Sequence, residues 1–112
     1  MKRAASAPPL NGLFRECYKD GTLAHVVKYV KGKKSGVGKY YLKNGQLRAV
    51  GKFVKGKMNG AWKWYRENGK LWAVGTFKDD VKQGPWTQYK PDGKRLYVAR
   101  FEMGKRVVYR KA

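Results

Sequence analysis

The stretch 60–83 reads GAWKWYRENGKLWAVGTFKDDVKQ, and it decides the fold because the chain repeats its pattern every 24 residues. Glycines open four such units and recur nine residues into each: Gly12, Gly36, Gly60 and Gly84, then Gly21, Gly45, Gly69 and Gly93. Apolar series recur in step, namely Val26, Val50, Val74 and Val98, then Tyr29, Phe53, Phe77 and Phe101. A fixed short period indicates one supersecondary unit that is stacked several times and presents an extended binding surface.

Each unit contains two short runs rich in Tyr, Trp, Val and Phe. They are joined by an Asx-Gly dipeptide at 20–21, 44–45, 68–69 or 92–93. Such dipeptides accept the positive φ angles of a two-residue type I′ turn, which predicts four hairpins. The second connector of each unit is longer in this interpretation. We therefore predict an all-β fold, an antiparallel meander of four 24-residue hairpin repeats, with eight strands in an elongated, twisted sheet. We expect residues 1–11 to form a flexible N-terminal arm and 12–112 to form the repeat domain.

Composition limits the classes of function. The 112 residues include 27 Lys and Arg against 7 Asp and Glu, a formal net charge of +20, which predicts an anionic partner. One cysteine, Cys17, excludes an internal disulfide, and one histidine, His25, leaves few zinc ligands, so we expect no metal and no cofactor. No apolar run reaches the ~18 residues of a membrane span, and no secretory signal is recognisable. We expect a cytoplasmic protein without integral membrane association.

Side chains for catalysis are scarce. Serine hydroxyls occur at Ser6 in the arm and Ser35 in a connector. The lone His25 faces Glu16 in the expected register, which explains it as a cross-strand pair. The acidic pair at 79–80 lies in a connector, where carboxylates commonly support a turn. We therefore predict that the protein is not an enzyme.

The repeat resembles the MORN repeat, specifically its bacterial variant. The residues that carry the resemblance are Gly60, Trp62, Tyr65, Asn68, Gly69, Leu71, Gly75 and Phe77, and most of it recurs at Gly84, Trp86, Tyr89, Asp92, Gly93 and Phe101. It covers residues 12–107, and the first unit departs furthest, with Phe14 and Cys17 at the Trp and Tyr positions. The resemblance implies a non-catalytic scaffold for protein or lipid contact, and several bacterial relatives are labelled antitoxins. It names no partner, because fold and function are separable.

Two-residue turns would give the sheet two chemically different sides. They place Tyr65 opposite Trp72 and Trp62 opposite Gly75, and the side with Trp62 collects the large rings as a core face. The other side interleaves basic and aromatic residues, which can neutralise phosphates and stack on bases. The alternative for this side is an ordinary solvated face, because lysines and cross-strand pairs are common on exposed sheets.

The predicted anion-binding face has seven cations, and four rings on it are candidates for base stacking. The cations are Arg15, Lys28, Lys39, Arg48, Lys52, Lys63 and Arg100, and the rings are Tyr41, Tyr65, Trp72 and Tyr89. A second basic group lies at the connectors, where the period stacks it along one edge of the sheet: Lys33, Lys34, Lys55, Lys57, Lys105 and Arg106. Soluble loops are often rich in lysine, which is the alternative explanation for these connectors.

Three functions compete at this stage. The first is a non-catalytic repeat module whose basic, aromatic face engages a nucleic acid, a ribonucleoprotein or an acidic protein surface. The alternative is an antitoxin, immunity or inhibitor protein that blocks a bacterial enzyme by direct contact. An adaptor for anionic membranes ranks last, because no amphipathic helix or acylation signal is recognisable. No predicted helix covers the apolar face, so we expect the sheet to curl tightly or to pair with a second copy, as a homodimer, or with a partner protein.

Overall fold

A computed structural model describes residues 8–111 of the chain as one antiparallel sheet whose nine strands pair in sequence order. The strands are β1 (Gly12–Cys17), β2 (Leu23–Val30), β3 (Lys33–Tyr41), β4 (Leu47–Val54), β5 (Lys57–Tyr65), β6 (Leu71–Lys78), β7 (Val81–Tyr89), β8 (Arg95–Glu102) and β9 (Lys105–Lys111). The dimensions of 43 × 31 × 17 Å are those of an elongated single layer, and β1 does not pair with β9. The predicted all-β meander is confirmed. β9 is a ninth strand that the count of four hairpins did not include.

The four Asx-Gly loops are three-residue turns, and the type I′ conformation predicted for them is wrong. In the third unit Gly69 N donates to Arg66 O at 2.9 Å and Arg66 N donates to Lys70 O at 2.7 Å. Within this loop only Gly69 has a positive φ, at 90°. This is the geometry of a type I turn that is closed by a glycine bulge. Asn68 contributes its side chain instead, because its Oδ1 accepts the Lys70 N–H at 3.0 Å, and the same bond recurs in the other three units.

Two-residue type I′ turns lie at the opposite end of the strands. Lys55 and Gly56 have φ angles of 50° and 84°, and they connect Val54 directly to its pairing partner Lys57. The same turn recurs at 31–32, 79–80 and 103–104. The second connectors are therefore shorter than predicted. All four first positions hold a lysine, an aspartate or a methionine in the left-handed region, where a side chain is sterically unfavourable.

Each type I′ turn is hydrogen-bonded to the hairpin that precedes it. Gly56 N donates to Lys34 O at 2.9 Å, and the equivalent bonds in the other turns run from Gly32 N to Leu10 O, from Asp80 N to Met58 O and from Gly104 N to Lys82 O. The carboxylates at 79–80 take part, since Asp80 Oδ1 accepts Met58 N–H at 2.7 Å and Asp79 Oδ1 accepts from Asn59 Nδ2 at 3.3 Å. The acidic pair therefore supports a turn, as expected.

The segment before β1 makes the same contacts as a preceding repeat. Leu10 O accepts the Gly32 N–H at 2.8 Å, and Asn11 Oδ1 accepts the Lys31 N–H at 3.0 Å. Residues 1–7 of the expected arm lie outside the described residues. The boundary between arm and repeat domain therefore stays a prediction.

The predicted register is confirmed in the middle of the strands and is wrong next to the Asx-Gly loops. The confirmed pairs of β5 and β6 are Trp62 with Gly75, Lys63 with Val74 and Trp64 with Ala73. Tyr65 then pairs with Leu71 and not with Trp72, because an irregularity between Trp64 and Tyr65 follows the longer turn. The equivalent pairs elsewhere are Tyr41 with Leu47 and Tyr89 with Arg95.

One face of the sheet, which we call the inner face, carries the core. Val27, Phe53 and Trp62 are its most buried large side chains, and Trp62 is only 3% exposed. Ring contacts continue from Trp62 through Trp64 and Trp86 to Phe101, with centroids 5.5 to 6.4 Å apart. The rings thus cover one another, so the middle of a single-layer sheet is dry without a second layer.

Two indoles pack directly onto glycines of the preceding strand. A Cβ atom at Gly51 would overlap the Trp62 ring, and one at Gly75 would overlap the Trp86 ring. Each indole N–H also donates to a backbone carbonyl, from Trp62 to Lys52 O at 3.2 Å and from Trp86 to Thr76 O at 3.0 Å. The expectation that Trp62 lies over Gly75 is therefore wrong in detail. The two residues face each other in register, but the glycine beneath the Trp62 ring is Gly51.

The sizes of this pair are reversed where the first unit meets the second. Val27 takes the position of Gly51, and Gly38 takes the position of Trp62. Val27 is fully buried, and a Cβ at Gly38 would come within 2.8 Å of the Phe53 ring. A large residue beside a small one therefore fills the same volume in both arrangements.

We expect a double-mutant cycle to show this exchange of volume. Gly51→Val should destabilise the protein by about 2 to 3 kcal/mol through overpacking, and Trp62→Gly by about 4 kcal/mol through the cavity. The double variant reproduces the Val27 and Gly38 pair, so it should lose at least ~1.5 kcal/mol less than the sum, as measured by urea unfolding. The control is Gly51→Val with Trp86→Gly, two positions that lie three strands apart in the sheet, so this cycle should be close to additive. Additivity in both cycles would contradict the packing.

Lys55→Asn should stabilise the protein by about 0.5 to 1 kcal/mol, because asparagine tolerates the left-handed conformation and Asn-Gly suits a type I′ turn. The matched control is Lys57→Asn two residues later, which removes the same charge but places a poor strand former in β5. Shifts of the urea midpoint give both values. A midpoint for Lys55→Asn at or below that of Lys57→Asn would contradict the observed turn.

Candidate functional site

The face opposite the rings, which we call the outer face, carries one continuous ladder of paired side chains. It crosses all nine strands in the order Arg15, Val26, Lys39, Val50, Lys63, Val74, Thr87, Val98 and Arg110. Cations occupy the odd-numbered strands except β7, and valines occupy the even-numbered strands. Successive odd-numbered strands lie two strand spacings apart, roughly 9.5 Å. The valines separate like charges and give the lysine stems an apolar surface.

A second outer row runs beside this ladder. Lys28, Lys52 and Arg100 lie on β2, β4 and β8, each two residues from a ladder valine and each exposed. They pair with Leu13, Val37 and Pro85. None of the seven acidic residues of the chain belongs to either row. The predicted cations of the outer face are thus brought together, with one exception, Arg48.

Arg110 belongs to the ladder although the sequence prediction missed it. The prediction ended the sheet at the fourth hairpin, because no Asx-Gly turn follows Gly93. The signal was the β-branched and aromatic run at 107–109, which is typical of a strand.

The predicted stacking residues divide between the two faces. Tyr41, Tyr65 and Tyr89 are half-buried, and Tyr65 shares a shallow cavity of 260 Å³ with Lys52 and Lys63. Trp72 instead lines two clefts together with the inner-face ring of Trp64. The expectation that Trp72 faces Tyr65 on the basic side is wrong, because the irregular pairing inserts one extra residue there.

Two clefts meet at Trp64 and Trp72. The larger, of about 720 Å³, lies toward the Asx-Gly end, and we call it the Arg48 cleft because Arg48 lines it with Asn44 and Glu67. The smaller, of about 250 Å³, we call the Lys82 cleft. Its walls include Trp86, Tyr97 and Phe101, and its cations are Lys82 and Arg106. Arg48 therefore lies with the inner-face clefts and not with the outer rows.

The basic connectors also divide between the faces. Lys34 Nζ lies 5.1 Å from the centroid of Phe53, and Arg106 lies 4.5 Å from that of Tyr109. Lys82, which occupies the same repeat position, lies 4.6 Å from Trp86 and 4.8 Å from Phe101. Such contacts hold a cation at a fixed place above a ring. The remaining connector lysines, Lys33, Lys55, Lys57 and Lys105, are exposed at or beside the type I′ turns.

Tyr40 and Asp20, whose pKa values are shifted, both make contacts that belong to the fold. Burial, reinforced by Tyr29, raises the pKa of Tyr40 above its ordinary value, and its ring contacts His25 at 5.4 Å. Hydrogen bonds from Thr22 lower the pKa of the exposed Asp20. The predicted pairing of His25 with Glu16 is confirmed, with Nε2 and Oε1 3.5 Å apart. Across residues 8–111 no group of three or more His, Cys, Asp or Glu side chains is placed to hold a metal ion.

Comparisons with known proteins support the repeat assignment. Residues 58–79 match the family model described as the MORN repeat variant, and this segment spans the β5–β6 hairpin. This segment therefore matches one unit of the MORN repeat variant, a family that is generally non-catalytic and whose repeats suggest a binding module. Among curated proteins no relative matches the chain.

One solved structure that is similar belongs to the GtfA/B complex bound to UDP and GlcNAc, with 14% identity and a TM-score of 0.45. The match covers 96% of this chain and 25% of that one. A TM-score of this size carries no inference about function. In the described part of this chain no helix is long and apolar enough to cross a membrane.

Proposed function

We propose that this protein is a non-catalytic repeat module that binds an anionic partner through the two cation rows of its outer face. The leading partner is nucleic acid, alone or within a ribonucleoprotein. The single observation that supports this most strongly is the nine-strand ladder, because it places a cation on four of the five odd-numbered strands across the sheet, with Thr87 on the fifth. A polymer with regularly spaced phosphates meets such a row at several points at once.

The two rows together supply seven exposed cations: Arg15, Lys28, Lys39, Lys52, Lys63, Arg100 and Arg110. Each phosphate that is neutralised releases condensed counterions, so about six contacts give a slope near −5 in log affinity against log salt on a duplex. Apart from Thr87, the polar side chains of the two rows are the cations themselves, and in this mode of binding they contact phosphates. Binding by this face should therefore depend weakly on sequence.

A second candidate function is supported by the apolar side chains of the second row. Leu13 and Val37 are 59% and 57% exposed, and they lie beside Lys28 and Lys52. Exposed aliphatic groups next to cations suit an acidic protein surface as well as a polyanion. This favours the antitoxin, immunity or inhibitor hypothesis over simple solvation. The cytoplasmic location and the homodimer remain predictions, and light scattering tests the latter.

The outer rows should account for most of the affinity for duplex DNA or RNA. The variant Lys39→Glu, Lys52→Glu and Lys63→Glu should bind about 100-fold more weakly at ~50 mM salt, because three phosphate contacts become repulsive. The matched control is Lys19→Glu, Lys70→Glu and Lys94→Glu, which has the same net charge but alters exposed residues of the hairpin loops. The affinity of this control variant for the duplex should fall by less than about fivefold. Fluorescence anisotropy over a salt series measures both.

Equal losses in the two variants would show that net charge alone attracts the nucleic acid, against the proposed role of the rows. If wild-type protein has no affinity for DNA or RNA at ~50 mM salt, the proposal fails. In that case, the second candidate would be supported if the wild-type protein captured an acidic protein, the outer-row variant did not, and the control variant still did.

A further inference from the structure

We propose that the inner face holds a separate site for single-stranded nucleic acid, centred on Trp64 and Trp72 where the Arg48 and Lys82 clefts meet. This rests on the proposed function in taking the partner to be a nucleic acid. It adds a second binding face, a preference for single strands over duplexes, and a different mode of contact, namely base stacking.

Trp72 is the feature that the fold does not require. It is 43% exposed, whereas Trp62 is 3% exposed and lies on a glycine. The same repeat position holds Ala24, Arg48 and Leu96 in the other units, so the packing of the repeat does not depend on an indole there. An indole at an accessible position beside a cleft is a platform on which an unpaired base can stack.

Cations lie on both sides of this platform. Arg48 lines the cleft on one side, and Lys82 and Arg106 line the cleft on the other. The Lys82 ammonium lies 4.6 Å from the Trp86 centroid, a contact that favours its position above this ring although the side chain is exposed. A base stacked at Trp72 would thus have phosphate partners in both directions along its strand.

The polar side chains of the clefts favour a nucleobase over an acidic peptide. Glu67 lines the Arg48 cleft, where its carboxylate repels a peptide carboxylate and a phosphate alike, so charge alone does not separate the two ligands. The same carboxylate can accept hydrogen bonds from the amino groups of cytosine, adenine or guanine. Asn44 in this cleft and Gln88 in the Lys82 cleft both donate and accept, as base edges do. A duplex keeps its bases stacked within the helix, so it cannot use this platform.

The test compares Trp72→Ala on a labelled single-stranded oligo(dC) and on a duplex of equal length by anisotropy at ~50 mM salt. Loss of one stacked base should weaken binding to the single strand about tenfold, and duplex binding should change less than about twofold. Trp72→Phe should recover most of the affinity, since it retains a ring. The matched control is Leu96→Ala at the same repeat position, which should leave both affinities unchanged. Urea midpoints confirm that the variants are folded.

Tryptophan fluorescence gives an independent signal. Oligo(dC) should quench the wild-type emission on binding by stacking on an indole, and Trp72→Ala should remove most of that quenching. Glu67→Ala should lower the ratio of the affinity for oligo(dC) to that for oligo(dT), because it removes the acceptor for the cytosine amino group, which thymine lacks.

The outcomes separate this site from the outer rows. Suppose that duplex binding depends on Lys39, Lys52 and Lys63, but that Trp72→Ala does not change the affinity for the single strand. This result would overturn the inner site and leave the proposed function in place. Single-strand binding that depends on Trp72 while duplex binding is absent would support the inner site although the outer rows fail. If a polyglutamate peptide displaces oligo(dC) and itself requires Trp72, the occupant is an acidic peptide and the inference is overturned.

Discussion

The contact on which the structure depends is an aromatic ring lying on a residue without a side chain. A single-layer sheet has no second layer to cover its apolar face, so its own side chains must do so. Trp62 achieves this by lying on Gly51, and Trp86 by lying on Gly75, while each indole N–H reaches a backbone carbonyl. Trp62 and Trp86 each cover a glycine of the strand before them and also contact further rings, so the rings form one connected row that the period of 24 residues keeps in contact.

That packing determines where the charge is placed. Strand alternation sends the neighbours of each buried ring to the other side, so Lys63, between Trp62 and Trp64, lies on the outer face. Seven of the 27 lysines and arginines therefore form ordered rows on this face, and valines separate the cations of the ladder. Toward β9 the rings are less completely covered, and there Lys82 and Arg106 reach over them. The inner face is thus dry at its centre and basic at its end.

The period predicted the meander and the pairing in mid-strand, since both follow from alternation and the spacing of the repeat. The turn types could not be predicted from the Asx-Gly dipeptides alone. Asn68-Gly69 suits a type I′ turn as well as a type I turn with a bulge, and the side-chain bond from Asn68 to the backbone favours the second. Lys55 adopts a conformation that lysine disfavours, which no propensity indicates. The resulting irregularity moved Trp72 and Arg48 to the clefts, and long flexible stems let Lys34 and Lys82 reach the rings.

The two candidate sites differ in how they relate to the repeat. The outer ladder uses positions that recur from unit to unit, so it offers equivalent contacts along its length and suits a partner that is itself periodic. The clefts use positions where the units differ: the series of Ala24, Arg48, Trp72 and Leu96 changes chemistry at every step, although the valines two residues later are constant. Constant positions are explained by packing. A position that varies while its neighbours are constant is free to acquire a specific contact. We therefore expect discrimination among ligands to arise at Trp72, where an accessible indole lies between cations.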